Sequence, residues 1–171
     1  STYLDFKNSR TSFGINVMKS IVVEVEASDG SIGVSTGQGG APACYMIEQH
    51  FRRFIVGLDP RDINKAWDQM YRASMYYGGK GLPMWAISVV DLALWDLLGV
   101  IRNEPVYKMI GGSVRDEIEL YCTGIRPDAA KEAGFIGGKM PLPFAPVERH
   151  ERLKANVEHF QEMRNKVGSD F

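Results

Sequence analysis

The clearest candidate for chemistry is a lysine that follows two glycines. In the stretch GFIGGKMP, residues 134–141, Lys139 stands directly after Gly137 and Gly138 at the end of a short apolar run. Three interpretations fit such a segment: a phosphate-binding loop, a turn that leaves the lysine in solvent, or a lysine fixed at the mouth of a barrel. The phosphate loop is excluded because its four-residue spacer and the Ser or Thr after the lysine are missing.

Carboxylates and histidines could supply a metal site, but their spacing does not indicate one. The 21 Asp and Glu residues fall in a hairpin, on helices or in turns, without a converging pattern. His50, His150 and His159 show no pairing at ligand spacing with a third donor. The sequence therefore assigns no metal ligand within this chain.

Composition limits the class of protein. With 171 residues, 44% apolar residues and a net charge of −1, the chain is typical of a globular protein with a substantial core. It lacks the basic excess of nucleic-acid-binding proteins, and its longest apolar run, Met84 to Leu98, is interrupted by Asp91 and Asp96. The polar start has no signal core. We expect a cytoplasmic protein that binds neither nucleic acid nor membrane.

The first two thirds of the chain predict a hairpin followed by helices. Alternation over residues 19–27 and 32–34, around Asp29-Gly30, predicts two antiparallel strands joined by a type I′ turn. Helical spacing then predicts helices over about 42–57, 59–78 and 83–99. The third is apolar on nearly every face, which predicts burial on several sides.

After Pro105 the pattern changes to alternating strands and helices. Residues 117–124 and 135–140 read as strands, Pro127 opens a short helix ended by Gly134, and residues 149–167 form an amphipathic helix. Its predicted inward side chains are Leu153, Val157, Phe160 and Met163 or Arg164. This order predicts parallel strands. Two such strands leave both edges open, so we expect the beginning of a larger sheet, and self-association of this chain alone.

Several motifs resemble one enzyme family. AISVVDLALWDLLG, residues 86–99, resembles the helix signature of the mandelate racemase and muconate lactonizing branch of the enolase superfamily, and PVYKMIGG, residues 105–112, resembles its linker. SRTSFGINV, VVEVEA, VYKMIGG and GFIGGKMP resemble the sugar-acid dehydratases of that branch. Where the family usually has Lys and Gly, this chain has Val100 and Asn103. Asn tolerates the left-handed backbone that the glycine would supply.

The resemblance implies the fold. Residues 1–112 would form the α+β capping domain, and residues 113–171 the first two βα units of a (β/α)8 TIM barrel, here truncated. Asp91 and Asp96, on the apolar helix, are expected to join cap and barrel rather than to act in catalysis.

The resemblance also implies the chemistry, which is loss of water from a small sugar acid through an enediolate held by Mg²⁺. The metal ligands and the His-Asp pair are expected beyond Phe171, and the full-length protein is expected to be a homo-oligomer. Lys139 would lie at the end of the second barrel strand as the catalytic-side candidate, supporting the enediolate. Arg10 and Arg126 would bind the substrate.

Alternatives remain open at each of these positions. Lys139 and Arg10 could be solvated surface residues, and Arg126 could pair with Asp128. The chain as a whole could be a non-catalytic, cap-like binding or assembly module, or an inactive fragment. We expect the 171-residue chain alone to be inactive, because the metal ligands and the His-Asp pair are not in it.

Overall fold

The structure of the protein, a computed structural model, describes residues 19–144 and 149–171. The chain divides into two compact units, Ser1–Ser113 and Val114–Phe171. The first unit contains a hairpin sheet and most of the helices, and the second contains a strand, helix, strand and helix in that order.

The sheet of the first unit is a hairpin whose strands are Ser20–Glu26 (β1) and Ile32–Gln38 (β2). They pair antiparallel in one register, from Ser20 opposite Gln38 to Glu26 opposite Ile32. The predicted hairpin is confirmed. Its helices are Gly40–Met46 (α1), Arg52–Ile55 (α2), Ile63–Ala73 (α3), Leu82–Arg102 (α4) and Val106–Met109 (α5).

The predicted type I′ turn is wrong. Such a turn needs positive φ at both central residues, but only Gly30, at 85°, has it, and Asp29 does not. Instead, the Gly30 N–H donates to the Ala27 carbonyl at 3.0 Å, and the Ala27 N–H donates to the Ser31 carbonyl at 2.8 Å. The loop is therefore one residue longer, with glycine in the left-handed position that closes the hairpin.

The first predicted helix is present but contains a π-helical turn, Ile47–Phe51, between α1 and α2. His50 lies in this turn, and its ring contacts those of Phe51, Phe54 and Tyr77 at centroid distances of 5.5, 5.8 and 5.5 Å. Its Nδ1 atom is buried without a hydrogen-bond partner. His50 thus packs as an aromatic side chain, as expected of a histidine without ligand spacing.

Helix α4 forms the centre of the first unit. Nine of its residues are buried: Pro83, Ala86, Ile87, Val89, Val90, Ala93, Leu94, Leu97 and Leu98. By length and composition alone it could span a bilayer, yet here it packs against the hairpin and the other helices. Its C-terminal cap is Asn103, whose left-handed backbone, with φ of 49°, confirms that Asn takes the place of the expected glycine.

Small residues of β2 let the strand lie directly on α4. A Cβ atom at Gly33 would overlap the Ala93 carbonyl oxygen and the Leu97 backbone nitrogen, and one at Gly37 would overlap the Val89 side chain. Between the two glycines, the buried Ser35 hydroxyl donates to the Val89 carbonyl at 2.5 Å. The strand and the helix are therefore in backbone-to-backbone contact.

The two aspartates of α4 have different surroundings. The Asp96 carboxylate accepts the Val34 backbone N–H at 2.8 Å. This bond ties the helix to the hairpin within the first unit, so it does not make the predicted connection between cap and barrel. Asp91 is half-buried, and burial raises the pKa of its carboxyl above the ordinary value of 3.8. Among the described residues it has no hydrogen-bonding partner.

The second unit contains Cys122–Thr123 (β3), Pro127–Glu132 (α6), Gly138–Lys139 (β4) and Arg149–Val167 (α7). The predicted parallel pairing of β3 with β4 is confirmed. Both strands are shorter than predicted, however, because backbone hydrogen bonds join them only from Leu120 to Gly124. Residues 117–119 face no strand partner in the described part of the chain.

The predicted inward face of α7 is wrong at three of its positions, whereas the predicted Met163 is half-buried. Leu153, Val157 and Phe160 are 55%, 61% and 39% exposed, whereas Asn156 and Val167 are buried. The buried positions are those that reach neighbouring elements: Asn156 bonds the chain after β4, and the Val167 carbonyl accepts the Lys131 ammonium of α6 at 2.6 Å. Polar contacts rather than apolar periodicity orient this helix.

We expect Gly33→Ala to destabilise the first unit by about 3 kcal/mol, at the upper end of overpacking costs, because neither backbone can yield locally. Urea unfolding followed by circular dichroism measures the change. Gly79→Ala is the matched control, since its nearest non-neighbour atom, the Tyr71 hydroxyl oxygen, would lie 3.5 Å from the new Cβ. Equal stabilities of the two variants would contradict the close contact.

We expect Asp91→Asn to stabilise the chain at neutral pH and not at low pH. A carboxyl whose pKa is raised in the folded state costs stability above that pKa, and the cost vanishes below the ordinary value of 3.8. Tm should therefore rise by on the order of 2 °C at pH 7, and the difference should disappear below pH 3.8. The exposed Asp116→Asn serves as control. A lower Tm at pH 7 would mean that the carboxylate stabilises the fold.

Candidate functional site

The candidate site is the carboxyl end of the parallel pair β3 and β4. Thr123 lies opposite Lys139, and the Gly124 N–H donates to the Lys139 carbonyl at 3.0 Å. Lys139 is therefore the last residue of β4, in strand geometry and exposed. It forms no ion pair with another residue in the ranges that the structure describes.

The glycine before the lysine is needed for packing. A Cβ atom at Gly138 would lie 2.9 Å from the Pro127 Cβ and 3.2 Å from the Phe171 ring, whereas one at Gly137 would come no closer than 3.8 Å to the Tyr121 side chain. Gly138 thus lets β4 lie against the start of α6. The Gly-Gly pair supports the strand, which is a further argument against a phosphate loop.

Arg126 lies at the same end of the strand pair, immediately before α6. Its Nε and one terminal nitrogen donate to the two Asp128 oxygens at 2.8 and 3.0 Å. This bidentate contact lowers the pKa of the Asp128 carboxyl and raises the pKa of the guanidinium. The Asp128 carboxylate offsets the charge of the Arg126 guanidinium and fixes its orientation. Of the two cations at this end of the strand pair, Lys139 is the one without a described counterion.

The chain that follows Lys139 is tied to helix α7 by one amide. The Asn156 Oδ1 atom accepts the Phe144 N–H at 3.0 Å, and its Nδ2 atom donates to the Phe144 carbonyl at 2.9 Å. The Arg152 guanidinium stacks 4.8 Å from the centroid of the Phe144 ring. These contacts hold the exit from β4 and thereby the direction of the lysine-bearing segment.

The structure brings together two of the three predicted site residues. Lys139 and Arg126 share the carboxyl end of β3 and β4, while Arg10 lies outside the described residues. A cleft of about 450 Å³ in the second unit, between α7 and the exit from β4, is lined by neither of them. Within 19–144 and 149–171, no group of three His, Cys, Asp or Glu side chains could hold a metal ion.

Residues 6–111 match the mandelate racemase / muconate lactonizing enzyme N-terminal domain. Since this is more than half of the chain, the protein belongs to that family, within the enolase superfamily. The matched region ends close to the boundary between the two compact units, after Ser113.

Particular relatives narrow the comparison. The chain is 54% identical over 169 residues to an L-rhamnonate dehydratase of Saccharopolyspora erythraea, covering 99% of this chain and 43% of that protein. The L-rhamnonate dehydratase structure of Gibberella zeae has 59% identity and a TM-score of 0.85, covering 95% of this chain and 41% of that one. The Gibberella zeae enzyme has also been solved complexed with Mg. The chain thus spans less than half the length of these relatives.

Asn156 is the residue at this site that sequence patterns missed. It lies in helix α7 between two apolar residues. An amphipathic pattern identifies buried positions from apolar residues only, so it does not predict that this asparagine is buried. One signal could have indicated a buried hydrogen-bonding role. Asn156 lies on the same helix face as the apolar Met163 and Val167, and a polar residue on an apolar face usually makes hydrogen bonds.

We expect Asn156→Ala to loosen the segment after β4. Loss of both hydrogen bonds to Phe144 removes about 2 kcal/mol of local stability, which corresponds to roughly 30-fold faster exchange of the Phe144 amide. Hydrogen exchange followed by NMR gives this rate. Asn165→Ala removes only an exposed contact with Gln161, at 3.0 Å, and should leave the rate unchanged. An unchanged rate in Asn156→Ala would contradict the tether.

Proposed function

We propose that the longer protein containing this chain is a Mg²⁺-dependent hydro-lyase that removes water from L-rhamnonate or a similar sugar acid. The observation that carries the proposal is the 54% identity, across nearly the whole chain, to an L-rhamnonate dehydratase. Lys139, which has no counterion among the described residues, lies at the carboxyl end of a parallel strand pair. This placement supports the proposal, because barrel enzymes position their reactive groups at that end.

Lys139 would act on the carboxylate of the substrate. Removal of the proton next to a carboxylate places a second negative charge on the carboxylate oxygens, giving an enediolate, and an ammonium group nearby lowers the energy of that charge. The hydroxyl on the adjacent carbon then takes up a proton and leaves as water, and the resulting enol tautomerises to a 2-keto-3-deoxy acid. Lys139 has no described counterion, so its full charge is available for this role.

Arg126 would contact the substrate in a different way. Asp128 occupies its Nε and one terminal nitrogen, so the other terminal nitrogen is left to donate. With its charge offset by the aspartate, this donor suits a hydroxyl group of the acid better than its carboxylate. Arg10 is proposed as the substrate contact from the capping domain.

The described residues do not form a site for Mg²⁺. No cluster of three suitable side chains occurs among them. We propose that the ligands come from the part of the longer protein that lies beyond this chain. The 171-residue chain alone is therefore expected to be inactive. We further propose a cytoplasmic, homo-oligomeric enzyme in the full-length form.

A chimera tests this function. The chain replaces the region that it matches in the Saccharopolyspora erythraea enzyme, and keto-acid formation from L-rhamnonate is measured with and without added Mg²⁺. We expect metal-dependent turnover by the chimera and none by the 171-residue chain. In the chimera, Lys139→Met should lower kcat by about 100-fold or more, the usual cost of removing one group that stabilises an oxyanion.

The control variant is Lys166→Ala, which removes an exposed lysine of α7 and should leave kcat unchanged. A folded chimera without activity, beside an active parent enzyme, would contradict the proposed function. Undiminished kcat in Lys139→Met would contradict only the assignment of Lys139.

A further inference from the structure

The hairpin loop contains a pair of residues that can react with each other, Asp29 and Gly30. It is the single Asp-Gly pair in the sequence, and both residues are exposed. Because glycine lacks a Cβ atom, no side chain shields the peptide nitrogen that follows the aspartate. This nitrogen can therefore approach the carboxyl carbon of the aspartate more readily than in other Asp-X pairs.

The reaction open to this pair is cyclisation. The Gly30 backbone nitrogen gives up its proton and forms a bond to the Asp29 carboxyl carbon, Cγ, whose hydroxyl leaves with that proton as water. The product is a five-membered succinimide ring, which water then opens. Cleavage of the bond from nitrogen to Cγ restores aspartate, and cleavage of the bond from nitrogen to the Asp29 main-chain carbonyl carbon gives isoaspartate. One water is lost and one is taken up, so no further reactant is needed.

The folded loop engages the attacking nitrogen. The Gly30 N–H donates to the Ala27 carbonyl at 3.0 Å, which closes a β-turn over residues 27–30. Asp29 is the third residue of this turn and lacks the positive φ that a type II turn needs there, so the turn is of type I. The proton that cyclisation must remove is held in this hydrogen bond. The turn therefore has to open before the nitrogen can react.

The folded loop also engages the carboxylate. The Asp29 Oδ1 atom accepts the Ser31 backbone N–H at 2.9 Å, so the carboxylate is directed past Gly30. Hydrogen bonds from Ser31, chiefly that from its backbone N–H, lower the pKa of the Asp29 carboxyl below the ordinary value of 3.8. Cyclisation needs the neutral carboxyl, since hydroxide leaves more easily than oxide, whereas the folded loop favours the charged form. Both reacting groups are thus bound elsewhere while the loop is folded.

We propose that Asp29-Gly30 is a site of spontaneous succinimide and isoaspartate formation, and that the folded loop suppresses this reaction. The pair reacts in those chains whose loop has opened, so isoaspartate at position 29 records loop opening. Loops open locally at a lower free-energy cost than the core, so the modification accumulates without unfolding of the whole first unit. This inference does not depend on the dehydratase function.

Isoaspartate would prevent the loop from closing as before. Its main chain runs through the former side-chain carbons, which makes the main chain of the loop longer by one atom. In the present loop the Ala27 N–H donates to the Ser31 carbonyl at 2.8 Å, across the same residues that the Gly30 hydrogen bond spans in part. A longer main chain does not fit both bonds, so the modified chain cannot rebuild the loop in its original form.

The test follows isoaspartate in one tryptic fragment. Trypsin releases residues 20–52 together, and Asp29 is the one aspartate in this fragment, which contains no asparagine. Isoaspartate found there therefore comes from position 29. The 171-residue chain is incubated at mildly acidic pH with and without urea, and the fragment is assayed by isoaspartyl methyltransferase labelling. We expect isoaspartate to form about 10-fold faster or more in urea, where the hydrogen bonds of the loop are already broken.

The comparison with urea can overturn the proposal. Equal rates with and without urea would show that the folded loop gives no protection, and absence of isoaspartate in urea would show that the pair does not react. A synthetic peptide of residues 25–33 separates the effect of folding from that of urea on the chemistry. Its rate should equal that of the unfolded chain in both solutions. A peptide that reacts as slowly as the folded chain would attribute the slow reaction to the sequence rather than to the loop.

Two substitutions at one position vary the opening of the loop. Ser28 is the second residue of the turn, where a type I turn favours proline, and its N–H makes no backbone hydrogen bond within the described residues. Proline restricts the open loop and glycine frees it, so Ser28→Pro should slow isoaspartate formation about 2- to 5-fold and Ser28→Gly should speed it by a similar factor. In urea both variants should react like the unmodified chain. Equal rates of the two folded variants, or the opposite order, would contradict suppression by the loop.

Asp29→Glu is the control for the site itself. Its longer side chain would have to close a six-membered ring, which forms far more slowly, so labelling of the fragment should disappear. Labelling that persists in this variant would show that the isoaspartate does not arise at position 29 and would overturn the assignment.

Discussion

The direct contact between β2 and α4 is the constraint on which the first unit depends. A strand normally stands away from a helix by the thickness of its side chains, but Gly33 and Gly37 remove that spacing here. The buried Ser35 hydroxyl can then reach a backbone carbonyl of the helix. Because the two described strands of the sheet bury little apolar surface of their own, this contact fixes the position of the sheet on the core.

The same contact gives the polar residues of α4 their distinct roles. Asp96 lies beside the edge of β2 and finds a backbone donor there, so its charge is solvated by the protein. Asp91 lies away from the hairpin and, within the described residues, is desolvated without compensation. One aspartate of an apolar helix can therefore stabilise the fold through a hydrogen bond while another lowers its stability. The difference depends on which side of the helix each aspartate occupies.

Sequence patterns predicted what depends on local periodicity and on backbone conformation. The hairpin, the apolar helix and the left-handed Asn103 follow from alternation, helical spacing and the tolerance of Asn for positive φ. The residues that orient α7 did not follow, because Asn156 acts through hydrogen bonds to a segment distant in sequence, which periodicity does not encode. At the candidate site, the predicted strand order placed Lys139 and Arg126 at the same end of the strand pair. It did not establish that Asp128 offsets the charge of Arg126, because that depends on side-chain geometry.

The Asp96 carboxylate at the edge of β2 also determines where the sheet can pair with another strand. A sheet with two free edges can add strands at both sides and can grow without limit, as fibrils do. With Asp96 bonded to the Val34 N–H, addition of a strand at β2 requires this carboxylate to be displaced, so the β2 edge is protected against pairing with another strand. A single hydrogen bond from a helix side chain thus guards one edge of the sheet against pairing with other chains.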